Sequence, residues 1–185
     1  LTGGYILQID RDNPNISNEG WYSDNIFYVV EDPNYDVILP VQRNYIENYI
    51  NNFEGAMESP YYEDGFGNYV DIGSFVDYFL VNELAKHIDA FKLSFYLHKK
   101  KDSNGGKLHI GPIWDFNLAF GNWDYACDPS PNSWIYPCTS AASWFDKALT
   151  IPAVRDSIHC RWVELRETVY QTSTVLDYID DLADL

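Results

Sequence analysis

"FVDYFLVNELAKHIDAFKLSFYLHKK", residues 75–100, changes its hydrophobic period halfway along, and that change decides the fold class. Up to Ile88, the residues Ile72, Phe75, Val76, Phe79, Leu80, Leu84 and Ile88 recur at the three- and four-residue spacing of a core-facing helix. Glu83 falls on the same stripe, and a carboxylate there needs a partner because unpaired burial is costly. Beyond Asp89 the pattern becomes strand-like: "KLSFYLHKK" and "GKLHIGPIW" are joined by "KDSNGG", in which Asn104-Gly105 signals a hairpin. Asp89 therefore sits at a helix-to-strand corner, and Asp115 lies just past the second strand of the hairpin.

Working outward, "GGYILQID" (3–10) and "NIFYVVED" (25–32) read as strands, with turn formers between them that predict an antiparallel pair. "VQRNYIENYINNFEGAM" (41–57) places Val41, Tyr45, Tyr49 and Phe53 four apart, a helical stripe. "ESPYYEDGFGNYV" (58–70) reads as a loop. The final third reads as helical: "SAASWFDKAL", then Val154, Ile158, Trp162, Leu165 and Val169 as a stripe, then a helix capped at Ser173. Strands followed by mainly helices argue for an α+β fold.

Hydrophobic residues make up 46% of the 185, which excludes a disordered chain. A formal charge of −16 repels nucleic acid and anionic membrane surfaces. No run of apolar residues is long enough to span a bilayer. The chain opens on strand-like "LTGGYILQID" without an initiator Met, and so reads as a piece lacking an N-terminal part. Cys127 and Cys138 flank the proline-rich "DPSPNSWIYP". A disulfide closing that loop would add roughly 3 kcal/mol and place the protein in an oxidising compartment; the other reading is two separate thiols. Cys160, inside a helical pattern, reads as a small buried hydrophobe.

"HIGPIWDFNLAFGN" (109–122) holds a single acid, Asp115, among Trp114, Phe116, Leu118 and Phe120. Two carboxylates on strand-end loops, linked by a hairpin, can converge on one cleft. That suits phosphoryl transfer, in which one acid accepts a hydroxyl proton and the other holds Mg²⁺. His87-x-Asp89-x-x-x-x-Ser94 has the frame of the kinase catalytic loop H-R-D-x-x-x-x-N, and Asp115-Phe116-Asn117 has the frame of D-F-G. Other readings stay open: a helix-end turn acid for Asp89, or a glycosidase acid pair. His87, His98, His109 and His159 lack zinc-motif spacing, and there is neither a G-x-S-x-G nor a phosphate-cradling glycine loop.

Residues 70–122 resemble the CotH kinase family, named for a spore-coat protein. The stretches that carry the resemblance are "VDYFLVNELAKHIDAFKLSFYLHKKKD", "GGKLHIGPIWDFNLAFGN" and, more loosely, "GGYILQID". The resemblance implies the C-terminal, mainly helical lobe of a kinase-like domain, with residues 1–32 as N-lobe or hinge strands and 33–185 as the helical lobe. It implies ATP and Mg²⁺ as cofactors, a Ser- or Thr-bearing coat or exported protein as substrate, and an extracytoplasmic location. Asp89 takes the place of the catalytic acid and Asp115 that of the metal-binding acid. Asn117 stands where the family's W-D-x-D has its second acid, and Ser94 where a kinase has a metal-binding Asn. Glu83 would be a supporting polar group near the nucleotide. The rival reading is a non-catalytic adhesion or carbohydrate-binding module on the same scaffold.

Overall fold

The structure, a computed structural model, describes residues 1–12, 19–123, 130, 132–139 and 141–184. Five strands form one antiparallel sheet: β1 (Tyr5–Ile9), β2 (Gly20–Ser23), β3 (Ile26–Asp32), β4 (Phe95–Lys99) and β5 (Leu108–Ile110), in the order β2-β3-β1-β4-β5. β1 pairs with β3 as the turn-rich spacer predicts, and β2 adds a strand at the outer edge of β3. The β2–β3 link is the two-residue turn Asp24-Asn25, both with positive φ (42° and 65°). Asp and Asn tolerate that conformation, which matches the twist of a tight hairpin. On the other side of β1, β4 pairs along its whole length and then turns back into β5.

Alternation gives the sheet two different faces. Tyr5, Leu7, Ile9, Phe95, Leu97, Leu108 and Ile110 are buried against helices, whereas Ile6, Gln8, Tyr96, His98 and His109 point the other way. Lys99 lies on the buried face, where its ammonium donates to the Thr2 and Lys100 carbonyls and to Asp102, over the ring of Tyr49.

Among the described residues there are six helices: α1 (Pro40–Glu58), α2 (Tyr62–Tyr69), α3 (Ile72–Ala85), α4 (Ser143–Thr150), α5 (Pro152–Glu167) and α6 (Thr172–Ala183). None of them is long and apolar enough to cross a membrane. α3 begins where the Asp71 carboxylate accepts the Ser74 N–H at 2.8 Å, an N-cap. Its apolar face meets Phe91, Phe95 and Phe145 in a continuous aromatic core that also takes in Trp144. The start of α3 also covers β5, since Asp71 N–H donates to the Leu108 carbonyl and the Ser74 hydroxyl accepts from Ile110 N–H. Glu54, buried on α1, accepts from the Tyr28 hydroxyl at 2.7 Å and from the Ser23 hydroxyl, which ties the β2–β3 hairpin to α1.

Several sequence expectations change here. Residues 62–69 are helical rather than loop, because Phe66 is fully buried against Phe53 and Phe75 and that packing outweighs two glycines. On α1 the buried line is Ile46, Ile50, Phe53 and Met57, while Val41 is exposed. Tyr45 and Tyr49 lie at its margin, their hydroxyls bonded to backbone carbonyls. Leu84 and Val169 are likewise exposed. α6 is preceded by Gln171, with no side-chain cap, so Ser173 falls inside the first turn. Cys160 is exposed on α5, not buried, because the buried line of that helix runs through Val154 and Leu165. Cys138 carries a free thiol among the described residues, and its expected partner Cys127 lies outside them.

Candidate active site

α3 ends at Lys86, whose left-handed backbone (φ 53°, ψ 45°) turns the chain back on itself. Its N–H and that of His87 both return to the Asn82 carbonyl. The His87 side chain is thereby carried under the helix and buried. Asn82 Nδ2 donates to the Tyr78 carbonyl, so its Oδ1 is the acceptor for His87 Nδ1–H at 3.1 Å. Asp89 follows, half-buried, and its carbonyl accepts the Lys92 and Leu93 N–H groups at 3.1 and 2.8 Å. The acid thus sits on a closed turn rather than a loose loop. Ser94, again left-handed (φ 51°), leads straight into β4.

The second acid arrives from β5. Gly111 N–H donates to the Tyr96 carbonyl, prolonging the β4–β5 pairing toward the site. Asp115 is exposed and left-handed (φ 60°, ψ 53°), and a short 3-10 turn, Phe116–Leu118, starts from it. Ser94 Oγ donates to Asp115 Oδ2 at 3.3 Å. The Phe116 ring packs on the His87 imidazole, centroids 4.6 Å apart. The segment closes at Phe120, left-handed too (φ 54°), whose N–H donates to the Ala85 carbonyl at 2.6 Å. Lys86, Ser94, Asp115 and Phe120 are therefore four non-glycine residues held in a disfavoured conformation around one place. Such backbone strain persists only where surrounding contacts over-determine it, and it gathers at functional sites.

His87 is the hub. Burial holds its imidazole below the ordinary histidine range, while the charges of Asp89 and Asp115 both pull in the opposite direction. Two acids that are 26 positions apart in the sequence therefore act on one buried ring. The Asp115 backbone also lies against that ring, although Nε2 makes no hydrogen bond of normal geometry.

The remaining sequence candidates separate. Asn117 lies two residues past Asp115, exposed, its carbonyl accepting from Asn122 Nδ2 at 2.6 Å. Glu83 faces elsewhere: its two oxygens accept the Ile135 and Tyr136 N–H groups, each at 2.8 Å, with the Lys86 ammonium 4.0 Å away. It anchors the 133–136 segment beneath α3, and burial holds its pKa above the usual carboxylate range against those hydrogen bonds. Sequence reading missed the Ser94–Asp115 bond and the His87–Phe116 stack. Their signal was present only as two frames of spacing, "HIDAFKLS" and "DFN".

Among the described residues no group of three or more His, Cys, Asp or Glu is placed to hold a metal by itself. A cation at Asp115 would have one carboxylate and the neighbouring Ser94 hydroxyl. That set fits Mg²⁺, which takes one or two protein carboxylates and completes its shell with phosphate oxygens and water. No curated protein and no solved structure matches the chain. The family described as CotH kinase protein matches residues 1–185. Matched from end to end, the chain belongs to the CotH kinase family.

Proposed function

We propose that this protein is a kinase-like phosphotransferase that moves the γ-phosphoryl group of ATP to a Ser or Thr hydroxyl of a coat or exported protein. The observation that carries the reading is the joining of the two acid-bearing loops by the Ser94–Asp115 hydrogen bond and the His87–Phe116 stack. Family membership supports the kinase-like class, and the family's association with the spore coat supports an extracytoplasmic setting. In this reading the chain supplies the acid-bearing C-terminal lobe, and residues 1–32 are its N-lobe or hinge strands.

Asp89, on its closed turn, accepts the proton of the substrate hydroxyl as that oxygen attacks. Asp115 would hold Mg²⁺, with Ser94 and Asn117 as the supporting polar groups. Bound Mg²⁺ would offset the charge of the phosphate oxygens. Ser94 orients the Asp115 carboxylate, and His87 with Phe116 holds the two loops in register. A recess of about 680 Å³ lies past the Asp89 loop, lined by Lys92 and Leu93 together with Asp10, Asp24, Ile26 and Phe27, and neither Asp89 nor Asp115 lines it. Glu83 acts at one remove, by fixing the 133–136 segment.

The second reading, a non-catalytic module on the same scaffold, draws support from the uncharged Asn117 and the exposed Trp114 and Trp134. Calorimetric titration with ATP and Mg²⁺, followed by a phosphate-incorporation assay, separates the two. Under the kinase reading, Asp115→Asn abolishes Mg²⁺-dependent binding, whereas Asp89→Asn leaves binding nearly intact and removes turnover. Mg²⁺-dependent binding that survives Asp115→Asn would overturn the assignment of the metal-holding acid.

A further inference from the structure

We propose a second metal site on the open face of the sheet: His98 and His109 form a cross-strand two-histidine clip for a divalent cation of the Zn²⁺ or Ni²⁺ type. The two residues are directly opposite in the β4–β5 register, and their rings stack 5.1 Å apart with planes 16° from parallel. Each ring is oriented from behind. His98 Nδ1 donates to the Gly111 carbonyl at 3.3 Å. His109 Nδ1 lies 3.6 Å from Asp71 Oδ1, a carboxylate fixed by its capping bond to Ser74. A carbonyl oxygen only accepts, so the His98 proton sits on Nδ1 and its lone pair on Nε2, whereas Asp71 lies beyond hydrogen-bond distance of His109 and acts on that ring by charge. At His98 this is the outer-shell pattern that prepares a histidine to bind metal: a carbonyl on one ring nitrogen, the other nitrogen free.

Among the described residues neither Nε2 has a protein partner, and neither belongs with the sealed, unpaired ring nitrogens of Trp21, His87 and Trp144. Burial lowers the His109 pKa, opposed by Asp71 and aided by Lys100 and His98. The chain's net charge of −16 draws cations to the surface.

Imidazole ligands select borderline metals over Mg²⁺, so this site is chemically separate from Asp115. Bringing both Nε2 atoms to roughly 2.0–2.1 Å from one ion requires the rings to tilt toward each other. With no third protein ligand at hand among the described residues, water completes the shell and affinity falls below that of a four-ligand structural site. The consequence lies in the hairpin. β4 follows Ser94 and β5 leads to Asp115, so a cation bridging the strands stiffens the scaffold beneath both.

The test is a Zn²⁺ titration of the full chain, read by NMR of isotope-labelled histidine rings, which exposed thiols do not confuse. His98 and His109 should shift together and saturate at one equivalent, with His87 and His159 unmoved, and Mg²⁺ should move neither of the pair. His98→Ala and His109→Ala should each weaken this binding roughly tenfold or more. Zn²⁺ should raise the thermal midpoint of the unaltered protein only. Shifts at one histidine alone, different saturation points for the two, or undiminished binding after His98→Ala would overturn the site. The titration of the unaltered protein decides the question even if a variant fails to fold.

Discussion

Ser94 Oγ reaches Asp115 Oδ2 across 21 residues of chain, so the end of the Asp89 loop holds the carboxylate of the other acid loop. Such a bond is worth about 0.5–1.5 kcal/mol. Ser94→Ala should therefore weaken Mg²⁺-dependent nucleotide binding by about threefold to tenfold in a calorimetric titration. Ser94→Asn should strengthen it, since Asn tolerates the left-handed backbone and offers an amide oxygen to the cation. A Ser94→Asn variant that binds no tighter than the parent would place this position out of reach of the metal.

The His87–Phe116 stack makes a second, separable expectation. His87→Ala empties a buried site and leaves Asn82 Oδ1 unpaired, costing about 2–4 kcal/mol in chemical denaturation. Nucleotide affinity should fall with it, because both acid loops lose their common support. His87→Phe keeps an aromatic surface for Phe116 and should recover most of the affinity but only part of the stability. Unchanged denaturation midpoints in both variants would refute the hub role.

Glu83 separates a structural from a ligand-binding role. Its two oxygens each take a backbone N–H, and glutamine can accept with only one. Glu83→Gln should cost about 1–3 kcal/mol, the penalty for a buried unpaired donor. Nucleotide affinity should change less than about twofold where the variant remains folded. A large affinity loss without a stability loss would return Glu83 to the nucleotide.

Glu54 should leave a signature in the pH dependence of stability. Burial raises its pKa, opposed by hydrogen bonds from Ser23 and Tyr28. A carboxyl whose folded pKa lies above its unfolded value of about 4.3 contributes its stability at low pH. That contribution is lost as pH rises from the unfolded value through the raised folded value. Glu54→Gln should remove this slope and gain stability relative to the parent at about pH 7.5 but not at about pH 4, measured by urea denaturation. Glu54→Ala should destabilise at both, because the buried Tyr28 hydroxyl loses its acceptor.

Much of the acid-bearing unit was readable in the chain itself. A stripe of period near 3.6 up to Ile88, a period of two after Lys92 and the Asn104-Gly105 turn dictate helix, strand, turn and strand. These are local properties, because rotamer and backbone preferences act between near neighbours. Periodicity also says which residues share a face, but not what that face meets. So Val41 and Leu84 looked like core and are exposed, Cys160 looked buried and is not, and α2 was hidden until Phe66 had Phe53 and Phe75 to pack on. Tertiary structure alone brought Ser94 to Asp115, packed His87 on Phe116, turned Glu83 toward Ile135 and Tyr136, and put His98 beside His109. Each of those pairings depends on strand register or on a left-handed turn supported by distant contacts, and no local preference encodes a contact whose energy appears only when the remote partner is in place.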